Sequence, residues 1–576
     1  MRNPVNPALG LRLPPARARV LVGMLILCFG TLTARAMYLQ VWHNDFLQQE
    51  GASRFTRLLE LPAHRGMIID RNGEPLAIST PVESVWASPS DVDISPTQRR
   101  RLATLLQLDD AELKRKLGES GKEFVYLRRQ LPPEVAAKVV QLGLPGIFLK
   151  REYRRYYPAG EITAHLVGLT DVDDRGQEGL ELEYQDWLAG KPGSRRVVKD
   201  RLGHIVEDAE GIHPPVEGRD LMLSIDRRLQ YLAYRELKAA VIEHRAKAGG
   251  IVVLDVKTGE LLALANLPAF NPNNRATLDA RRARNRAITD VFEPGSTLKP
   301  FTVAAALEAG AVRSNTLLQI APGYLTVGDA TIHDAHPEGA LTVAQVIQKS
   351  SNVGAAKIAL SLPREALWKM LSAAGFGAPP QLGFPGEVGG RLRAYQHWRP
   401  IEQATLAYGH GISVSLLQLA HAYTIFATDG VLQPMTLVKR EERVEGTRVL
   451  SAGTARDIRG MLELVVKPGG TAPRARIVGY RVAGKTGTAH KLDGKGYAQD
   501  RYVSSFVGIA PASAPRLLVA VMLDEPGDGE YYGGVVAGPV FSRVMAEALR
   551  MLSIGPDAPI VDNIPLESLP EIREEV

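Results

Sequence analysis

Ser296 and Lys299 are spaced so that their side chains share one face of a helix. They lie in residues 291–301, VFEPGSTLKPF, where Pro294 and Gly295 end whatever precedes. An apolar run (Phe301, Val303, Ala304, Leu307) follows at helical spacing, which predicts a helix beginning at or near Ser296. The partial positive charge of a helix N-terminus favours a developing alkoxide there. A serine hydroxyl is a weak nucleophile until a neighbouring base takes its proton. A lysine can be that base only if burial or nearby cations keep it neutral. The chemistry on offer is an activated serine whose base lies one turn away. Taken alone, the same four residues also describe an N-cap serine followed by a solvated lysine.

Company changes that reading. Ser350-Ser351-Asn352 follow, and then Lys485-Thr486-Gly487-Thr488. Ser-x-x-Lys, Ser-x-Asn and Lys-Thr-Gly in this order are the set carried by penicillin-binding proteins and class A β-lactamases. An earlier Lys-Thr-Gly, Lys257-Thr258-Gly259, precedes Ser296 and so stands in the wrong order. It separates two apolar, strand-like runs, 250–256 and 260–265, which predicts a hairpin turn with Lys257 in solvent.

The elements that must position these residues belong to a chain of 576 residues, long enough for two to four domains. Hydrophobic residues at 45% and charged residues at 23% exclude wholesale disorder. A net charge of +6 without a Lys/Arg run interleaved with aromatics does not point to nucleic acid. It suits work near an anionic cell-surface polymer or a membrane. The lone cysteine, Cys28, excludes an internal disulfide. Arg2, Arg12, Arg17 and Arg19 precede an apolar stretch, 20–42, whose one charge is Arg35. That basic flank predicts a cytoplasmic N-terminus and an exported remainder. Ala34-Arg35-Ala36 has the form of a signal cleavage site, whereas the continuation through Tyr38 to Trp42 favours a retained anchor.

Residues 43–219 read as strand-rich, with a strand and Asn-Gly turn at 65–73 and a charged, helical insertion at 90–121. Nothing there has nucleophile–base or metal-ligand spacing, so arginines and carboxylates in it are expected to be structural, including a buried ion pair. A second domain opens at 220 with a strand, 221–226, and an amphipathic helix, 230–246. Lys485 falls on a strand, two antiparallel strands follow at 503–511 and 517–523, and a helix at 537–552 closes the domain. The proline-rich, acidic residues 556–576 are expected to be a disordered tail.

Taken together the chain resembles the class B penicillin-binding proteins, most closely their division-specific members, over nearly its whole length. The matching features are the arm and anchor, the box at 65–73, Gly179-Leu180-Glu181, the Ser296, Ser350 and Lys485 motifs, and Tyr408-Gly409-His410-Gly411 with Leu417-Gln418. The resemblance implies an α+β, multidomain architecture. It comprises a cytoplasmic arm (1–19), a transmembrane helix (20–42), an elongated strand-rich pedestal (43–219), a serine transpeptidase domain with an antiparallel sheet flanked by helices (220–555), and the tail. It implies a D,D-transpeptidase in the bacterial inner membrane, catalytic domain outside, crosslinking peptidoglycan stem peptides at the septum, with β-lactams as covalent inhibitors. Ser296 would attack, Lys299 take its proton, and Ser350 relay a proton to the leaving D-alanine, oriented by Asn352 and Lys485. The N–H groups of Ser296 and Thr488 would form the oxyanion hole, while Lys485, Thr486 and Thr488 hold the substrate carboxylate beside Gly487. Tyr408, Gly409 and the pair Tyr531-Tyr532 would line the cleft.

No cofactor, metal or nucleic acid is implied. A β-lactamase would need a deacylating Glu-x-x-Leu-Asn between Asn352 and Lys485, and the sequence has none. Three intact motifs speak against a non-catalytic scaffold, and an elongation-type transpeptidase is the nearer alternative. The upstream region lacks the Glu-Asp-x-x-Phe of bifunctional polymerases, so a lipid-linked glycan polymerase and other division proteins are the implied partners.

Overall fold

The structure, a computed structural model, describes residues 14–42, 56–118, 122–199, 205–208, 212–274, 278–442, 444–494, 496–527 and 529–559. The arm before Pro14 and the tail beyond residue 559 lie outside them. The chain divides into two compact units that alternate along the sequence. One comprises Met1–Ala63, Val82–Glu152 and Lys191–Val216, the other His64–Pro81, Tyr153–Gly190 and Glu217–Val576.

The first unit begins with the apolar helix Pro15–Met37, started by a proline at a position that has no intrahelical acceptor to lose. None of its side chains is buried, and the span Pro15–Val41 is long and apolar enough to cross a membrane. Strand Thr56–Leu61 pairs antiparallel with Gly193–Lys199, which pairs in turn with Ile205–Asp208. The charged insertion folds as helices Pro96–Leu106 and Asp110–Leu117. The first is fixed by a reciprocal capping box between Ser95 and Gln98. Leu102, Leu106 and Leu113 bury a small core with Val85, Leu127 and Val139.

The second unit is built on a five-stranded antiparallel sheet of β1 (Ala248–Asp255), β2 (Leu261–Leu267), β3 (Ala483–Asp493), β4 (Gly496–Ala510) and β5 (Leu517–Asp524), in spatial order β2-β1-β5-β4-β3. Every residue of β1 and β2 is buried, because helices cover both faces. Helix α1 (Arg227–Glu243) buries Leu229, Leu232, Ala233 and Leu237 and is capped by the Asp226 carboxylate. It packs on β1 and β2 beside the closing helix, Gly538–Met551, while Leu416–Ala427 packs on β1 and β5.

The predicted strand 221–226 is regular only at Leu221–Met222. Its alternation is real, since Leu221, Leu223 and Ile225 are buried, but successive residues bond to different elements: Leu223 to Ile69, Ser224 to Leu437 and Asp226 to Leu262. The expected ion pair is a buried cluster. Glu181 accepts from Arg65 Nε at 2.7 Å and from Arg155 Nε at 2.6 Å. Arg65 is further satisfied by Gln185 and by the Glu181 and Asp174 carbonyls.

Candidate active site

The chain enters the site through one 3-10 turn, Gly295–Leu298, which runs straight into α2 (Lys299–Glu308). Pro300 fits the first turn of α2 without loss of a hydrogen bond. α2 is buried on all sides from Lys299 to Ala306, so it is held from every direction. Phe301 packs against Phe376, Tyr423 and Phe426, with ring centroids 4.9–5.3 Å apart. The Tyr423 hydroxyl donates to the Thr297 carbonyl at 2.6 Å, and Thr302 Oγ1 donates to Ala407 at 2.9 Å. Ser296 therefore sits on a turn pinned from above and below.

Ser350 lies where helix Val343–Lys349 ends and α3 (Asn352–Leu360) begins, with φ +60° in the left-handed region. A non-glycine residue there is strained and persists because its surroundings impose it. Asp334 holds the residues that follow: its carboxylate accepts the Ser351 hydroxyl at 2.5 Å and the Asn352 and Val353 N–H groups at 2.5 and 3.0 Å. Ser351 Oγ in turn caps α3 at the Gly354 N–H, and Asn352 Nδ2 donates to the His333 carbonyl at 3.3 Å.

Lys485 to Thr488 lie on β3, the edge strand, with β4 on one side only. Gly487 permits its approach to the Ser296 turn: a Cβ there would stand 2.5 Å from Ser505 Oγ and 2.8 Å from the Pro294 carbonyl. Gly295, at φ +54°, meets the Thr488 carbonyl from the other side.

The five predicted catalytic residues thus come from the 3-10 turn (Ser296), α2 (Lys299), the helix junction at Ser350, the start of α3 (Asn352) and β3 (Lys485). Lys299 Nζ is 2.8 Å from Ser296 Oγ and 3.0 Å from Ser350 Oγ, and it also donates to the Ser350 carbonyl. Lys485 Nζ is 2.9 Å from the same Ser350 hydroxyl and 3.0 Å from Thr486 Oγ1. Ser350 Oγ therefore bridges two lysines, both fully buried, and an unbroken hydrogen-bond path runs from Ser296 to Lys485. Thr471 bonds Thr486 at 2.9 Å, and the Gly533 N–H donates to Thr488 Oγ1 at 3.1 Å. The earlier Lys257-Thr258-Gly259 is the β1–β2 turn: Lys257 and Thr258 are exposed and Gly259 has φ +74°.

Tyr408 is buried, its ring 5.2 Å from His410. Burial pushes His410 down to about 4, so its ring is neutral. Gly409, at φ +90°, lies against Gly295 so closely that a Cβ would meet its carbonyl at 2.1 Å. Tyr531 leans on Tyr532 and stacks on Tyr502, with centroids 3.9 Å apart and rings nearly parallel. Asp334, Tyr423 and Tyr502 were not picked out from the sequence. Their roles depend on partners remote in the chain and leave no local pattern.

The chain matches the description "Penicillin binding protein transpeptidase domain" over residues 249–546 and "Penicillin-binding Protein dimerisation domain" over 60–223. It is 44% identical to the probable peptidoglycan D,D-transpeptidase PenA of Neisseria gonorrhoeae over 545 residues, 94% of this chain and 93% of that one. It is 43% identical to the peptidoglycan D,D-transpeptidase FtsI of Escherichia coli over 548 residues, covering the same shares. Among solved structures, the transpeptidase domain of Burkholderia pseudomallei penicillin-binding protein 3 is 50% identical, with a TM-score of 0.55 over 58% of this chain and 98% of its own. Penicillin-binding protein 3 of Mycobacterium tuberculosis, complexed with aztreonam, is 29% identical with a TM-score of 0.68, over 87% and 99%. With both domains matched in order and relatives this similar along almost the whole chain, this protein belongs to the penicillin-binding protein transpeptidases.

Proposed function

We propose that this serine-type peptidoglycan D,D-transpeptidase works through an ester on Ser296. The observation that carries the reading is the bonded path from Ser296 Oγ through Lys299 and Ser350 to Lys485. A neutral lysine amine has one lone pair and two N–H groups. Lys299 has three oxygens around it, so the lone pair can take the Ser296 proton while the N–H groups hold the Ser350 carbonyl and hydroxyl. Full burial beside a second lysine favours that neutral form.

Ser296 Oγ attacks the carbonyl carbon between the two terminal D-alanines of a stem peptide, and its proton passes to Lys299. The N–H groups of Ser296 and Thr488 receive the oxyanion, each worth about 3 kcal/mol in comparable sites. Collapse breaks the amide bond, and Ser350 hands a proton to the departing D-alanine amine, with Asn352 and Lys485 orienting it. Lys485, Thr486 and Thr488 hold the terminal carboxylate, with Tyr408 and Gly409 at the cleft wall. An amine from a neighbouring stem peptide then attacks the ester, which frees Ser296 and leaves a new amide crosslink. β-Lactams acylate the same oxygen and stay.

The arginine flank of the apolar helix supports a single-pass protein of the inner membrane with its N-terminus in the cytoplasm and the catalytic unit outside. Likeness to the division-specific class supports septal crosslinking alongside a lipid-linked glycan polymerase. The test uses a stem pentapeptide ending in D-alanyl-D-alanine with an added acceptor amine. The parent protein releases D-alanine and forms the amide product, and Ser296→Ala does neither. D-Alanine release by Ser296→Ala would overturn the assignment.

A further inference from the structure

Three residues before Ser296, Glu293 engages both its carboxylate oxygens with distant parts of the chain. The Gly411 N–H donates to Oε1 at 2.8 Å, and the Tyr497 hydroxyl donates to Oε2 at 3.0 Å. His410 stands beside the carboxylate, Nδ1 3.6 Å from Oε2, with its ring 5.7 Å from that of Tyr497. The neighbouring Phe292 exchanges two backbone hydrogen bonds with Val414. Three segments therefore meet at Glu293: the approach to the nucleophile, residues 408–414, and the far end of the β3–β4 hairpin, where Tyr497 pairs with Leu492.

β3 carries Lys485 to Thr488 at its buried end, whereas Leu492, Asp493 and Tyr497 at the other end are exposed. As the edge strand it has a sheet partner on one side only, so the sheet alone does not fix its outer end. The Glu293–Tyr497 bond supplies that second attachment. Partial burial and the adjacent Glu293 carboxylate push the phenol of Tyr497, whose ring is partly exposed, up, which keeps it a donor. Burial likewise raises Glu293, whose side chain is 8% exposed, and neutral His410 leaves its charge uncompensated from that side.

We propose that Glu293 is a positioning residue that clasps the far end of the β3–β4 hairpin to the nucleophile segment and so sets how Lys485–Thr488 faces Ser296. Glu293 bonds with both oxygens inside the protein, and it acts on the reaction through these two neighbours. The proposal rests on Ser296 being the acylated residue.

The test measures acylation of the full chain in detergent over a range of fluorescent-penicillin concentrations, separating the binding constant from the acylation rate constant. Glu293→Gln and Tyr497→Phe should each lower the rate constant about tenfold and change the binding constant less than threefold. The double variant should be no more than about twofold slower than the slower single variant, because one broken clasp cannot break again. Amide hydrogen exchange over residues 484–498 should quicken in both single variants, with that of α2 unchanged. Rate constants within twofold of the parent, multiplicative losses in the double variant, or undisturbed exchange in the hairpin would overturn the clasp. Tyr497→Phe removes one oxygen from an exposed ring, so it keeps the test decisive if Glu293→Gln does not fold. Labelling retained by Ser296→Ala would overturn the nucleophile assignment instead, which separates the two failures.

Discussion

Lys485 and Lys257 carry the same tripeptide and should differ sharply on substitution. Lys485 is fully buried and bonded to the Ser350 hydroxyl, so Lys485→Ala removes a charge from a closed site. Loss of several kcal/mol of transition-state stabilisation corresponds to a fall in acylation rate of at least about a hundredfold. Lys257 faces water in a turn, and Lys257→Ala should leave acylation unchanged and stability within about 0.5 kcal/mol. Acylation rates of both variants with penicillin check this, and a slower Lys257→Ala would contradict the site. Gly487→Ala is the companion case. Its Cβ would collide with Ser505 Oγ and the Pro294 carbonyl, so β3 must shift away from Ser296. Acylation should fall more than about tenfold, because small misplacements of reacting groups cost that much. A rate equal to the parent's would show that the close approach is not needed. The three motifs were legible because each keeps its residues within a few positions of the chain. Asp334 and Glu293 were not, because a carboxylate becomes a clamp only through partners such as Ser351, Gly411 and Tyr497 that the fold brings in.

Among the elements, β4 begins at Gly496, well ahead of the expected 503, whereas α1, the β1–β2 hairpin, β3, β5 and the closing helix follow the periodicities of their sequences within a few residues. The strand at 221–226 did not, since burial alternates equally in a chain that hops between partners. The cluster around Glu181 was legible as an ion pair, but its pH behaviour was not. Asp174 lies in it with Oδ1 buried and unbonded among the described residues, and burial pushes its carboxyl up to about 6. The folded state then keeps a proton that the unfolded chain has released. Stability should therefore fall as pH rises from about 4 to about 6, by on the order of 2–3 kcal/mol. Asp174→Asn should flatten this part of the profile. Thermal unfolding of parent and variant at pH 4.5 and 7 measures it, and parallel profiles would contradict the assignment.

At the scale of the whole molecule, the segments of the two units alternate along the sequence because compactness is decided by contacts between residues remote in the chain. A linear reading places a boundary near residue 220, whereas His64–Pro81 and Tyr153–Gly190 cluster with the catalytic unit. The apolar helix at 15–41 predicts retention in the membrane: the protein should resist salt extraction and dissolve in detergent, with its N-terminus intact. A mature chain starting at Met37 would mean that this segment is a cleaved signal. This architecture is expected to serve one nucleophile, Ser296. Labelling the purified protein with penicillin, digesting it and locating the adduct by mass spectrometry tests this. One adduct is expected, on Ser296, absent from Ser296→Ala; an adduct on any other residue, or labelling that survives in Ser296→Ala, would overturn the assignment.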